Sequence, residues 1–93
     1  MSCRVLEEVF GVIEQRKREM PEGSYVAMLM RSGEEKILRK LNEELLEVVL
    51  ACGRSRRELV HESADLLFHL LVLLSYRGIE LEEVCAELER RRR

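Results

Sequence analysis

Residues 64–74 of the chain read ADLLFHLLVLL, and this stretch decides the fold. Leucine, valine and phenylalanine lie on every side of the helix that it would form, and Asp65 and His69 interrupt them. A helix that is apolar around its whole circumference is buried on all sides. The sequence therefore predicts an all-α protein built around this helix, which we expect to run from Arg56 to a stop at Gly78.

Three further helices are predicted around the central one from the helical spacing of apolar residues. A serine followed three positions later by a glutamate is a capping-box signature, and the chain has this pattern at Ser32 and again at Ser55. The stretch Met20–Arg31 contains the single proline and is predicted to be irregular. The three further helices are predicted at residues 3–18, between Ser32 and Gly53, and from Leu81 to the terminal arginines Arg90–Arg93. The chain is thus expected to form four to five helices with short connections.

The apolar central helix also predicts an oligomer. Three short helices of one chain cannot easily surround a helix of this length that is apolar on all sides. We therefore expect a helical bundle that is completed by a second copy of the chain, as a homodimer or a higher homo-oligomer.

Composition limits the class of protein to which the chain can belong. Its 93 residues are expected to form one domain over residues 1–93, and 46% hydrophobic with 37% charged residues is typical of a soluble folded chain. A net charge of −2 gives no general attraction to nucleic acid or to anionic lipid, so neither is expected as a partner. The longest apolar stretch is far shorter than the roughly 20 residues of a membrane span, and the charged N-terminus does not resemble a signal peptide.

The cysteines point to a reducing compartment. Cys3, Cys52 and Cys85 are odd in number and widely spaced, which fits neither a disulfide framework nor a paired-cysteine zinc site. A cytoplasmic location is therefore expected. Cys52 and Cys85 lie on apolar stripes and are predicted to be small buried residues.

Acidic residues at helical spacing mark a candidate site on two neighbouring helices. Glu62, Asp65 and His69 lie at i, i+3 and i+7 on the central helix, and Glu44 and Glu47 lie at i and i+3 on the helix before it. The short connection makes these helices antiparallel, so Glu47 is expected level with Glu62 and Glu44 level with Asp65. We expect the four carboxylates to converge, because the axes of packed helices lie about 8 to 10 Å apart.

Four converging carboxylates repel one another and need a cation between them. Lys36, Lys40 and His69 are the nearest protein groups that could carry a positive charge. A hard divalent ion such as Mg²⁺ takes oxygen ligands and keeps waters that a phosphate can replace. Such a site polarises a phosphoryl oxygen and activates water, which is the chemistry of phosphoanhydride hydrolysis.

The same residues carry a resemblance to a known family. The string Glu43-Glu44-x-x-Glu47 followed by Glu62-x-x-Asp65 resembles the signature of the all-α nucleoside triphosphate pyrophosphohydrolase superfamily. Three further segments resemble, within it, the phosphoribosyl-ATP pyrophosphohydrolase family of histidine biosynthesis: Pro21–Tyr25, Ser32-Gly33 with Lys36-Ile37 and Lys40, and Ala64–Leu71. The similarity spans nearly the whole chain. It departs from the family pattern at Val26, where a threonine is expected, and at Asn42, where a small residue is usual.

The resemblance implies an enzyme that uses Mg²⁺, with Mn²⁺ as the alternative ion, to cleave the α–β phosphoanhydride of phosphoribosyl-ATP into phosphoribosyl-AMP and pyrophosphate. With the resemblance added, the expected metal ligands and catalytic residues are Glu44, Glu47, Glu62 and Asp65, with Glu43 as a further candidate ligand. The expected substrate-binding residues are Lys36, Lys40, Ser24, Tyr25 and His69.

Two other functions remain open at the level of sequence. A house-cleaning enzyme of the same superfamily would act on a free nucleoside triphosphate instead. A non-catalytic helical dimerisation module would use the apolar helix as its interface and leave the acidic stripe in solvent. In that module His69 would be an ordinary core histidine, and Lys36 and Lys40 would form surface pairs with nearby glutamates.

Overall fold

The computed structural model describes residues 3–92, and within them the chain forms five α-helices. They are α1 (Arg4–Glu19), α2 (Tyr25–Ser32), α3 (Glu34–Ala51), α4 (Arg56–Tyr76) and α5 (Leu81–Arg91). The all-α prediction is confirmed. Arg93, the last of the four terminal arginines, lies outside the described residues.

The expectation of an irregular stretch at Met20–Arg31 is wrong, because α2 occupies most of it. Met20 ends α1 in the left-handed conformation, with φ at 50°. Ser24 then caps α2 by accepting a hydrogen bond from the backbone N–H of Ala27 at 3.1 Å. A helix of eight residues is marginal by itself. Burial of Val26, Ala27 and Leu29 in the core stabilises it.

The predicted capping box at Ser32 and Glu35 is also wrong. Ser32 is the last residue of α2, and its hydroxyl donates to the carbonyl of Met28 at 2.8 Å. Gly33 alone joins α2 to α3, with φ at 96° and ψ at 177°. This backbone conformation is essentially restricted to glycine, so the junction is a sharp bend of one residue.

Helices α3 and α4 form the antiparallel hairpin that the sequence predicts, and their mutual packing is the most extensive between any two helices of residues 3–92. Residues 52–55 connect them. Ser55 caps α4 as expected, by accepting a hydrogen bond from the backbone N–H of Glu58 at 3.1 Å. The carboxylate of Glu58 lies 3.6 Å from Arg54 and reinforces this end of the hairpin.

The core lies where α1, α2 and α3 pack against the second half of α4. Its buried apolar residues are Phe10, Ile13, Val26, Leu29, Ile37, Leu71 and Val72. Within one chain α4 is not enclosed on all sides, because Leu67 is 46% exposed and Leu70 is 38% exposed. Completion of the bundle by a second copy therefore stays a prediction.

By length and composition α4 could cross a membrane, since it has 21 residues and a window of mean hydropathy 1.3. The core helix of a water-soluble protein has the same property. Val72 and Ser75 of α4 are fully buried against the other helices, and Glu62 and Asp65 lie in its first half. Its composition is therefore that of a core helix, and does not indicate a membrane protein.

A polar network ties the C-terminal end of α4 to α1. The buried hydroxyl of Ser75 donates to the carboxylate of Glu14, and the ammonium of Lys17 donates to the carbonyl of Ser75 at 2.6 Å. Lys17 also lies 3.3 Å from Glu14. The hydrogen bond from Ser75 is the main cause that lowers the pKa of Glu14, and Lys17 adds to it against the opposing effect of burial.

Helix α5 lies at the edge of the fold, with Leu81 partly buried against the core. It begins with a capping box that the sequence analysis missed, in which the backbone N–H of Glu80 donates to the carboxylate of Glu83 at 2.9 Å. The prediction that Cys52 and Cys85 are buried is wrong, because both are exposed free thiols. Cys52 lies just after the end of α3, and α5 has no fully buried residue.

Candidate active site

The polar residues predicted on α3 form one partly buried stripe. Lys36, Lys40, Glu44 and Glu47 follow one another at spacings of four, four and three residues, and all four are partly buried. Residues between them, such as Leu45, are exposed. This spacing keeps the four side chains on one side of the helix.

The predicted site residues on α4 are also partly or fully shielded from solvent. Glu62 and Asp65 are partly buried and His69 is 6% exposed, whereas Val60 on the same helix is exposed. Because α3 and α4 pack side by side and antiparallel, partly buried polar residues on both helices lie along the same hairpin.

Tyr25, the first residue of α2, contacts this hairpin through His69. Its hydroxyl oxygen lies 2.9 Å from Nε2 of His69, and Nδ1 of His69 lies 2.8 Å from the backbone carbonyl oxygen of Asp65. A carbonyl oxygen only accepts, so Nδ1 carries the hydrogen of the neutral ring and Nε2 accepts from the Tyr25 hydroxyl. Phe68 packs edge-on against the imidazole, with ring centroids 5.3 Å apart. His69 is therefore a satisfied buried histidine that holds Tyr25 in place.

The charges around Tyr25 come from both helices of the hairpin. Burial is the main cause that raises the pKa of its phenol. The positive charge of Lys40 opposes this rise, and the negative charges of Glu44, Glu43 and Asp65 add to it. The Tyr25 hydroxyl thus interacts electrostatically with charged residues of both α3 and α4. Residues of three helices, α2, α3 and α4, therefore meet at one polar site.

Glu43 and Lys40 form an ion pair on α3, with 3.3 Å between Nζ and Oε1. The hydrogen bond from this pair is the main cause that raises the pKa of Lys40, and the nearby Tyr25 adds to it. Lys40 therefore stays a cation at the edge of the site. Glu43 already has a cationic partner, which sets it apart from the other acidic residues.

The remaining carboxylates have fewer partners. Within residues 3–92, no lysine, arginine or histidine lies within 4.0 Å of the carboxylates of Glu44, Glu47 or Glu62, and Asp65 has His61 as its one such partner. Partly buried carboxylates without cations are costly. A donor set of carboxylate oxygens on rigid helices fits a hard divalent cation such as Mg²⁺.

His61 is a residue of this site that the sequence analysis missed. Its Nε2 lies 3.5 Å from Oδ2 of Asp65, and ligand atoms of His61, Glu62 and Asp65 all lie within 4.8 Å of one another. The signal was present in the sequence, since His61 precedes Asp65 by four residues and so lies on the same face of α4. Glu62 and Asp65 are common to this group and to the predicted ligand set, whereas Glu44 and Glu47 lie on the neighbouring helix.

The other predicted substrate-binding residues lie at helix starts. The Ser24 hydroxyl caps α2, so part of its hydrogen-bonding capacity is used by the fold. Lys36 lies in the first turn of α3, one turn before Lys40, and is partly buried. Two ammonium groups therefore follow each other along the same stripe that carries Glu44 and Glu47.

Comparison with known proteins finds one matching family model and several similar proteins. A family model described as "Phosphoribosyl-ATP pyrophosphohydrolase" matches residues 6–92. The chain is 54% identical over 88 residues to a phosphoribosyl-ATP pyrophosphatase of Metallosphaera sedula, covering 94% of this chain and 95% of that protein. It is 51% identical over 88 residues to a phosphoribosyl-ATP pyrophosphatase of Geobacter metallireducens, covering 94% of this chain and 81% of that protein. It is also 48% identical over 92 residues to the histidine biosynthesis bifunctional protein HisIE of Pyrococcus furiosus, covering 99% of this chain and 43% of that protein.

Proposed function

The chain belongs to the phosphoribosyl-ATP pyrophosphohydrolase family, and from this premise we propose the reaction and the roles of its residues. The protein is a hydrolase of histidine biosynthesis that converts phosphoribosyl-ATP and water to phosphoribosyl-AMP and pyrophosphate. The observation that carries the assignment is the match to the family model over residues 6–92, which includes the whole acidic stripe of both helices.

The proposed metal ligands are Glu44 and Glu47 on α3 with Glu62 and Asp65 on α4. All four are partly buried, and within residues 3–92 no lysine, arginine or histidine lies within 4.0 Å of the carboxylates of three of them, Glu44, Glu47 and Glu62, which supports this role. Mg²⁺, or Mn²⁺ in its place, would supply a Lewis acid for the phosphate oxygens and a means to activate water. Glu43 is the weaker candidate ligand because Lys40 already pairs with it.

Lys36 and Lys40 are proposed to bind the departing pyrophosphate. Two cations on successive turns of α3 lie beside the carboxylate stripe, where they offset the charge of a polyphosphate. Lys40 is protonated at neutral pH, as a lysine of ordinary pKa already is, and the pair with Glu43 raises its pKa further. Their role is electrostatic stabilisation of charge that develops on the leaving group.

Tyr25 is proposed to bind a sugar hydroxyl of the substrate. Its proton points to Nε2 of His69, so the free lone pairs of its oxygen can only accept a hydrogen bond. A ribose O–H donates such a bond, whereas a phosphate oxygen does not. His69 is then a positioning residue, and Ser24 offers its hydroxyl at the start of the same helix.

A pyrophosphate-release assay tests this function. We expect Mg²⁺-dependent turnover of phosphoribosyl-ATP, little turnover of dATP or dCTP, and loss of activity with EDTA while the helical circular dichroism signal is retained. Faster turnover of dATP or dCTP would favour a house-cleaning enzyme. A protein that released no pyrophosphate and showed no saturable stabilisation by Mg²⁺ would instead be a non-catalytic helical module.

The proposal extends to assembly and compartment. Exposed leucines and valines on α3 and α4 support a homodimer or higher homo-oligomer. The three free cysteines support a location in the reducing cytoplasm. Phosphoribosyl-ATP is the proposed small-molecule partner. The balanced charge supports a partner set without nucleic acid or membrane.

A further inference from the structure

We propose that His61 contributes an imidazole nitrogen to the metal site, so that the cluster of His61, Glu62 and Asp65 selects borderline transition-metal ions over Mg²⁺. The inference rests on the proposed function, because it concerns the same acidic site. It goes beyond that function in assigning a nitrogen ligand and a different metal preference to this particular chain.

The distances in the cluster are close to those of a metal site. Zinc and similar ions lie about 2.0 to 2.2 Å from nitrogen and oxygen ligands, so ligand atoms around one ion are roughly 3 to 4 Å apart. Nε2 of His61 and Oδ2 of Asp65 are 3.5 Å apart, and the ligand atom of Glu62 lies within 4.8 Å of both. For all three atoms to surround one ion, the Glu62 carboxylate has to move closer to the other two ligand atoms.

The backbone under the cluster is rigid. All three residues lie in the first half of α4, and His61 and Asp65 are separated by one helical turn. The carbonyl of Asp65 is held by His69, which is itself bonded to Tyr25 of α2. Ligands on such a helix keep their spacing without further ordering, which lowers the entropic cost of binding an ion.

The chemistry of the nitrogen sets the metal preference. Carboxylate oxygens suit Mg²⁺ and Mn²⁺, whereas imidazole suits zinc and other later transition ions, whose affinity rises along the series from Mn²⁺ to Cu²⁺. Adding one imidazole to carboxylates therefore strengthens the binding of Co²⁺ or Zn²⁺ and leaves the binding of Mg²⁺ nearly unchanged. The alternative is an ordinary surface pair, since the side chain of His61 is 72% exposed.

The test compares Co²⁺ and Mg²⁺ binding to the whole protein without substrate, by calorimetry and by the visible absorption spectrum of Co²⁺. The sequence has two histidines, and both ring nitrogens of His69 are in hydrogen bonds, so an imidazole signature in the spectrum reports His61. We expect the parent to bind Co²⁺ more tightly than Mg²⁺. His61→Gln should weaken Co²⁺ binding by at least about 10-fold, the lower end of what changes around metal ligands cause.

Val12→Gln is the control, since it places the same side chain at an exposed valine of α1, a helix that carries none of the three proposed ligands. It should leave the affinities for both ions as in the parent. Unchanged Co²⁺ affinity in His61→Gln, or an equal loss for Co²⁺ and Mg²⁺, would overturn the inference. That failure is separate from a failure of the proposed function, which would show as a parent protein that releases no pyrophosphate from phosphoribosyl-ATP with any ion.

Discussion

At the scale of single residues, the acidic side chains of the hairpin serve binding at the expense of stability. Glu47 and Asp65 are partly buried among like charges, and crowding of this kind destabilises the folded state in the absence of a cation. A residue retained under such a cost is better explained by what it binds than by what it holds together. A binding role and a structural role predict opposite changes in stability when the carboxylate is replaced by an uncharged amide.

Glu47→Gln and Asp65→Asn are expected to leave the metal-free protein at least as stable as the parent. Both should lower turnover by orders of magnitude and flatten the rise in Tm that Mg²⁺ gives the parent through mass action. Melting curves with and without Mg²⁺, beside pyrophosphate-release rates, check this. Glu35→Gln, at an exposed position on α3, is the control. Variants that lost about 1 to 3 kcal/mol of stability yet retained turnover would instead indicate a structural role.

The hydroxyl of Tyr25 is expected to contribute both to substrate binding and to the stability of the fold. Tyr25→Phe removes the donor to Nε2 of His69 and leaves that buried atom without its partner. We expect a loss of about 1 to 3 kcal/mol in the free energy of unfolding, together with a higher KM for phosphoribosyl-ATP. Tyr76→Phe, in the other tyrosine of the chain, is expected to stay within about 0.5 kcal/mol of the parent. Equal stability and KM for Tyr25→Phe and the parent would contradict both roles of this hydroxyl.

At the scale of secondary structure, the polar network of Glu14, Lys17 and Ser75 makes the packing of α1 on α4 sensitive to acid. The folded pKa of Glu14 is depressed, so its contribution to stability is present above its unfolded pKa. That contribution is lost as the pH falls through the lower, folded pKa. Acid should therefore loosen the contact between α1 and the end of α4.

Ser75→Ala is expected to cost about 1 to 2 kcal/mol at neutral pH, because the hydroxyl donates to an ionised carboxylate. The difference in the free energy of unfolding between the variant and the parent should become smaller as the pH falls, because Glu14 becomes protonated in both proteins. Urea unfolding at a series of pH values measures it. Ser63→Ala on the same helix is the control and should show no such pH dependence. A constant deficit in Ser75→Ala at every pH would show that the ionised state of Glu14 is not involved.

The sequence predicts well the helices that have a long apolar period. It predicts less well a short helix whose formation depends on tertiary contacts. Helices α1, α3, α4 and α5 have sustained apolar periods, and their predicted positions are close to the observed ones. Helix α2 has only eight residues and depends on the burial of Val26 and Leu29, which no local pattern reports. The serine at position 32 fits a capping box locally, yet α2 continues through it and the bend falls at Gly33.

For the site, spacing alone indicated which carboxylates share a side of each helix, because helical geometry fixes that relation. It could not show that Tyr25 donates to His69, since those residues are 44 positions apart and meet only after α2 forms. It also passed over His61, because a histidine beside acidic residues on one turn is common on exposed helix surfaces. The ligand roles of Glu44, Glu47, Glu62 and Asp65 remain proposals that the substitutions above test.

At the scale of the whole molecule, the single chain leaves much apolar surface uncovered on the hairpin. These exposed residues include Leu38, Leu45, Leu46, Val49, Leu50, Val60, Leu67 and Leu70. Many exposed apolar residues on two adjoining helices of a small protein indicate an interface. A second copy of the chain is the proposed occupant, because it would also enclose the exposed side of α4.

Sedimentation at micromolar concentration is expected to show a dimer or a higher oligomer. Val49→Glu introduces a charge among the exposed apolar residues of α3 and should shift the protein towards monomer, because burying an unpaired charge is costly. Val12→Glu, at an exposed valine of α1, is the matched control and should keep the parent's assembly. A well-folded monomeric parent would defeat the prediction, and equal assembly of Val49→Glu and the parent would move the interface away from α3.

The junction at Gly33 restricts how the gene for this enzyme can change in length during evolution. Gly33 is the only residue between α2 and α3. The number of residues from Tyr25 to the polar stripe of α3 therefore sets the rotation of one helix relative to the other. One inserted codon would turn the two helices by about 100° relative to each other and carry Tyr25 away from His69. Insertions and deletions in natural variants should therefore accumulate at residues 21–24 and 52–55, while the interval from Tyr25 to Glu47 keeps a constant length.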